Sequence, residues 1–155
     1  MKQLLILLPL ILLLSASTDT FAQKSHQITE ITLEQNSNWQ GFMYKYVLRS
    51  DGTATLYGPD WTAETVRRLA YRGQFQEFDR VVKFVTTQRF FKLDRRYEAP
   101  VFDANTIIVG VVRYGRRREV TDYGSAGPVN LRAIEDLIRS LSEKIKWDKT
   151  GTPVR

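Results

Sequence analysis

The stretch from Phe42 to Tyr57 constrains the fold more than any other part of the chain. Phe42, Tyr44, Tyr46 and Leu48 alternate with Met43, Lys45, Val47 and Arg49. A period of two puts the first set on one face of a strand and the second on the other. Ser50-Asp51-Gly52 follows, and glycine accepts the positive φ that a tight hairpin requires. Thr53 to Tyr57 returns as the partner strand. A hairpin with one apolar face needs more strands beside it and something to cover that face.

The rest of the chain supplies both. Ile28 to Glu34 reads as a strand with Thr29, Ile31 and Leu33 on one side, followed by a polar loop over Gln35 to Gln40. Asn105 to Arg113 is a β-branched strand; Tyr114-Gly115-Arg116-Arg117 turns it, and Arg118 to Tyr123 returns. Between the hairpins, Phe75, Phe78, Val81, Val82 and Val85 fall at three- and four-residue intervals, which predicts a helix over Gln74 to Phe91. After Pro128, a residue suited to a first helical turn, Leu131, Ile134, Leu137, Ile138, Leu141 and Ile145 make a second stripe. Arg132–Asp136, Glu135–Arg139 and Arg139–Glu143 are spaced four apart, as exposed pairs on its polar side would be. Thr62 to Arg72 reads as either an extended segment or a short helix, and Phe91 to Ala104 as a loop. This order predicts an α+β fold: an antiparallel sheet of two β-hairpins plus an N-terminal strand, with two helices packed on one face.

The 155-residue chain contains no cysteine, so its stability must come from an apolar core. Lys2, an apolar run over Leu4 to Leu14, and Thr20-Phe21-Ala22 before Gln23 have the layout of a secretory signal peptide. The expected organisation is a signal peptide over 1–22, a disordered lead-in over 23–27, one α+β domain over 28–148, and a flexible tail over 149–155. Without an N-terminal cysteine to carry lipid, the product is expected to be soluble and periplasmic or secreted, not a lipoprotein. No later run has the length and apolarity of a membrane-spanning helix. The formal charge of +6 falls wholly on the exported part, because Lys2 and Asp19 cancel.

Catalytic equipment is sparse. His26 is the sole histidine and lies in the lead-in, where a general base has no fixed position. That leaves no His or Cys metal set, and no Asp/Asn-rich calcium loop occurs; neither a metal nor a cofactor is expected. Asp103, Glu119 and Asp122 are the weak candidates for a paired-carboxylate hydrolase. Gly124-Ser125-Ala126-Gly127 reads as a linker into the second helix rather than a phosphate loop. Arg116, Arg117 and Arg118 crowd the second hairpin's tip, and with Tyr44 and Tyr46 they form the expected binding surface. Export argues against nucleic acid as the partner.

Leu33-Glu34, Tyr44, Asp51-Gly52, Phe90-Phe91-Lys92-Leu93, Tyr97 and Asp103 occur in an order that resembles a family of short exported bacterial proteins catalogued as a domain of unknown function. That family carries Cys-x-Gly-x-Cys-Pro-x-Tyr before its Asp-Gly hairpin. Here the cysteine positions fall near Ser37 and Gly41, and Phe42 replaces the proline. The resemblance implies an exported fold and no activity. The expected function is an exported, non-catalytic binding module for an unknown envelope protein. The alternatives are a cell-envelope hydrolase using paired carboxylates, or a binder of anionic lipid or polysaccharide whose affinity falls with salt.

Overall fold

Strand β1 (Ile28–Ser37) is the spine that joins the two hairpins. It pairs antiparallel with β2 (Gly41–Arg49) on one side and with β6 (Thr106–Arg113) on the other. Strands β3 (Thr53–Pro59) and β4 (Arg68–Gln74) extend the sheet beyond β2, and β7 (Arg116–Tyr123) extends it beyond β6. The computed structural model describes residues 27–39, 41–59, 68–148 and 152–153. Among these the sheet has eight strands in the order β5-β7-β6-β1-β2-β3-β4-β8, with β5 (Arg96–Glu98) and β8 (Thr152–Pro153) at its edges. All pairings are antiparallel except that of β5 with β7. The expected leader lies outside the described residues. No helix among those residues is long and apolar enough to cross a membrane.

One face of the sheet is covered. Helix α1 (Phe78–Thr87) buries Phe78, Val81, Val82 and Val85; helix α2 (Val129–Ser142) buries Leu131, Ile134, Ile138 and Leu141. These meet Ile31, Leu33, Leu48, Val109, Val111 and Val120 in a single core. At roughly 1.5–3 kcal/mol per buried side chain, this contact supplies the stability that no disulfide provides. The α+β expectation therefore holds, with a mostly antiparallel sheet.

Several local expectations are corrected. β1 continues to Ser37, through residues read as a polar loop. A bulge on β2 pairs Gln35 with Tyr44 but Asn36 with Phe42. Met43 is the extra residue, so Phe42 leaves the face of Tyr44 and Tyr46 for the opposite one. There the Arg68 guanidinium stacks on its ring at 4.3 Å. Helix α1 is shorter than Gln74 to Phe91. Gln74 still pairs with Thr53, and the Phe75 amide donates to Gly52 O (2.8 Å), which keeps the chain extended at that end. At the other end Arg89 enters the left-handed region (φ 57°) and a single 3-10 turn, Phe90–Lys92, follows. The loop beyond it contains β5, and the predicted tail contains β8, paired to Leu69 and Ala70. Of the ambiguous segment, residues 68–72 are strand and 62–67 lie outside the described residues.

Among the described residues, no helix lies on the opposite face of the sheet. Arg117 pairs with Glu30, Glu30 with Arg49 (3.5 Å), and Lys45 with Glu34 (3.0 Å). Half-exposed pairs of this kind contribute about 0–1 kcal/mol each. Their long stems cover Val47 and Thr32, which are buried although they point away from the core.

The first hairpin's turn rests on Gly52, whose φ is +81°. Asp51 Oδ1 accepts from the Thr53 amide (2.9 Å) and from Thr53 Oγ1 (2.7 Å), and these bonds hold its carboxyl below the usual carboxylate range. A Gly52→Ala substitution should destabilise the protein by about 1–2 kcal/mol, the usual penalty for an L-residue in the left-handed region. A urea midpoint unchanged from wild type would contradict this role for the turn.

Candidate functional site

One rung of the sheet's covered face departs from the apolar pattern. Along β1 the inward residues are Ile31, Leu33 and then Gln35. The rung through Leu33 runs Tyr46–Leu33–Val109–Val120, three aliphatics and a tyrosine. The next rung runs Tyr44–Gln35–Ile107–Asp122, and β5 adds Tyr97 beside Asp122. Four of its five residues carry polar groups, at an end of the face where an apolar core would otherwise continue.

Helix α2 presents matching chemistry to that rung. Glu135 sits one turn beyond Leu131, immediately after Ile134, and is only 4 % exposed. The four-residue spacing to Arg139 predicts an exposed pairing site; instead Glu135 lies on the shoulder of the apolar stripe and turns inward. Arg139 does not hydrogen-bond to Glu135. Its Nη1 donates to Asp136 Oδ1 (3.2 Å) and its Nε to the Tyr44 hydroxyl (3.2 Å). That hydroxyl donates in turn to Gln35 Oε1 (2.7 Å), and Gln35 Nε2 reaches Met43 Sδ (3.6 Å). The chain Arg139–Tyr44–Gln35 thus ties the helix to β2 and β1.

Asp122 lies deeper than Glu135, 1 % exposed. Its Oδ1 accepts from the Gly127 amide (2.9 Å), which closes the 124–127 turn over it. A Cβ on Gly127 would lie 2.6 Å from Asp122 Oδ2 and 2.8 Å from Leu131 Cδ2, so only glycine lets the turn come this close. Asp122 Oδ2 and Glu135 Oε1 are both buried without a hydrogen-bond partner. Burial raises the Glu135 pKa, the nearby Asp122 charge raises it further, and Arg139 and Arg132 offset only part of this; the result is about 7.

Between α2 and the polar rung lies a cleft of about 560 Å3. Gln35 and Ile107 form its sheet side. Glu135, Asp136, Arg132 and Arg139 form its helix side, and Val101, Ala104 and Asn105 close one flank. The Tyr123 hydroxyl fixes that flank: it donates to Val101 O (3.1 Å) and accepts from Ala104 N (3.4 Å) and Asn38 Nδ2 (3.2 Å). It therefore ties the β1–β2 turn to the 99–105 loop. Each of these segments carries an exposed aromatic, Trp39 and Phe102. A wider hollow of about 1200 Å3 lies at the β3–β4 end, but no side chain lining it is both buried and unpaired among the described residues. Volume alone therefore does not select the site; the smaller cleft has the chemistry.

The expected site residues do not form one surface. Asp103 is exposed in the 99–105 loop at φ 59°. Glu119 faces outward beside Arg117 (3.4 Å), while Asp122, three residues on in the same strand, faces inward. The carboxyl brought near Asp122 is Glu135. Tyr44 and Tyr46 lie on the covered face, their ring centroids 5.0 Å apart, with Trp147 stacked on Tyr46 at 6.1 Å. Arg116 is exposed at the tip of the second hairpin, Arg117 pairs with Glu30 on the open face, and Arg118 turns inward to donate to Leu93 O. Of these five, Tyr44 alone belongs to the network at the cleft.

Sequence reasoning missed Gln35, Glu135 and Arg139 as a group. The available signal was parity: Gln35 follows Ile31 and Leu33 at a spacing of two, and Glu135 adjoins the apolar stripe. No group of three or more metal-ligating side chains occurs among the described residues. No protein-family model matches this chain, and no curated protein matches it significantly.

Proposed function

We propose that this chain is an exported, non-catalytic binding module, and that the cleft between α2 and the Gln35 rung holds its ligand. One observation carries the reading. Glu135, 4 % exposed, lines the cleft and leaves a buried carboxyl oxygen without a protein partner, although burial of an unpaired polar group costs about 1–3 kcal/mol. Such a cost is characteristic of binding sites rather than of structural cores. The leader-like Leu4 to Leu14 run supports export, and the resemblance to short exported proteins points the same way. The paired-carboxylate hydrolase is less well supported. Its second carboxyl would be Asp122, which is sealed behind Glu135 by Gly127 and Leu131 and does not line the cleft.

Thermal shift against a panel of amino acids, sugars, organic acids and nucleosides tests the reading. At least one class should raise Tm by about 2 °C or more, as saturating ligand does. Arg139→Ala should abolish that rise, and mass spectrometry should recover the ligand unchanged. No stabilising class, an undiminished shift in the variant, or turnover of the ligand would each reject the proposal. Protein isolated from outside the cytoplasm should begin at Gln23; Met1 retained on protein from the cell interior would reject export.

A further inference from the structure

We propose that the ligand of this cleft is a small zwitterion, with an ammonium group held by Glu135 and a carboxylate held by Arg132 and Arg139. This rests on the cleft being the binding site, and it adds the chemical class. Glu135 lies one turn from each arginine along α2, so the helix presents Arg132, then Glu135 with Asp136 beside it, then Arg139 along one side of the cleft, and Asp136 is already bonded to Arg139. Behind Glu135 lies Asp122, with its Oδ2 unpaired.

A dianion such as phosphate would satisfy the arginines but would face two carboxyls. A divalent cation would find Glu135 and Asp136 lining the cleft, but no group of three or more acidic or histidine ligands among the described residues, and two guanidiniums beside them. A neutral sugar supplies no charge to offset the buried acid pair. A molecule with both charges matches each group with its opposite, through charge-assisted hydrogen bonds that are the stronger kind. Arg139 already spends Nε and Nη1 on Tyr44 and Asp136, which fixes its plane and leaves Nη2 for the ligand. Arg132 forms no ion pair among the described residues. Ile107, Val101 and Ala104 give the cleft an apolar wall for the ligand's carbon skeleton.

A cation beside Glu135 also favours its ionised form. The groups facing that carboxyl are Asp122 from β7 and Arg132, Asp136 and Arg139 from its own helix. Binding near neutral pH should therefore release a fraction of a proton, where a sugar would release none.

Isothermal titration of the purified protein provides the test, run at pH 7 in two buffers of different ionisation enthalpy. The probes are free α-amino acids, their methyl esters, their N-acetyl derivatives, short unblocked peptides, a hexose and inorganic phosphate. Free amino acids or unblocked peptides should bind with proton release; which of the two binds more tightly identifies the source. Esterification and acetylation should each weaken binding at least tenfold, as should Arg132→Ala and Glu135→Gln, with folding of both variants verified by circular dichroism. Equal affinity for blocked and unblocked forms, or unchanged affinity in both folded variants, would overturn the assignment. Binding of the hexose or phosphate alone would overturn it while leaving the binding-module reading intact. Binding of nothing would overturn both.

Discussion

Glu135→Gln should make the protein more stable at pH 8 than the wild type, by about 2–3 kcal/mol or roughly 6–9 °C in Tm. The direction follows from proton linkage. Glu135 has a folded pKa of about 7 against an ordinary 4.5. Below 4.5 the carboxyl is protonated in both states and costs little. Between 4.5 and 7 the unfolded chain ionises while the folded chain keeps its proton, so the folded state binds more protons and stability declines as pH rises. Above 7 both ionise, and the full loss is present. The magnitude is the pKa difference converted at about 1.4 kcal/mol per unit, reduced because Arg139 and Arg132 can relax toward the charge. Glutamine keeps the shape and has no charge to desolvate. Its pH profile from 5 to 8 should be flatter, with the two proteins within about 1 kcal/mol at pH 5. Asp136→Asn, at an exposed carboxyl that adjoins Glu135 on the same helix, should reproduce only a small part of the effect. Parallel wild-type and Glu135→Gln profiles from urea denaturation at pH 5, 6.5 and 8 would show that Glu135 is not held in the environment described here.

A stabilising substitution at a buried carboxyl has a functional meaning. Stability can be gained where a site has been shaped for another purpose, and buried acids in clefts are such places. On the proposed binding function the expected cost is loss of ligand, so stability at pH 8 and ligand affinity should move in opposite directions in this one variant.

The same residue shows what the sequence could and could not disclose. The hairpin at Asp51-Gly52, the strand over Asn105 to Arg113 and the stripe from Leu131 to Leu141 follow from local periodicity and turn chemistry. Those are short-range properties, and the fold largely obeys them. The exceptions have local physical causes. The Met43 bulge shifts Phe42 to the other face, because a single extra residue reverses side-chain parity beyond it. The positive φ at Arg89 ends helix α1 where the apolar spacing alone would continue it. The cleft was not legible, because it depends on register between strands far apart in the chain. Gln35 meets Ile107, and Ile107 meets Asp122, only after three strands align. Glu135 is separated from Asp122 by a turn whose closeness rests on Gly127. Local pattern points to acids near the strand ends of one hairpin, whereas the pairing runs from a strand to a helix.

Phe90→Ala should be the most damaging single truncation outside the two helices, with a loss of about 3–5 kcal/mol and a Tm lower by roughly 10–15 °C. Phe90 is fully buried in the 3-10 turn after α1, and its ring meets Phe91 edge-on (centroids 5.5 Å apart, interplanar angle 87°). Phe91 is only partly buried, and the Arg113 guanidinium stacks on it at 3.6 Å. Leu93, also buried, ends the turn, and Arg118 donates to its carbonyl oxygen. The Phe-Phe-Lys-Leu stretch is therefore an apolar plug that joins the end of α1 to the second hairpin, with its one charged residue exposed. Removing the Phe90 ring leaves a cavity enclosed on every side, whereas removing Phe91 opens a space that water and the Arg113 stem can occupy. Phe91→Ala should accordingly cost about 1–2 kcal/mol, since an exposed site collapses or hydrates more readily than a sealed one. Because domains of this size are stable by about 5–15 kcal/mol, the Phe90 loss would take a large share of the total. Denaturant midpoints for the two variants measure the difference directly. Equal costs at the two positions would mean that the stretch is not a plug.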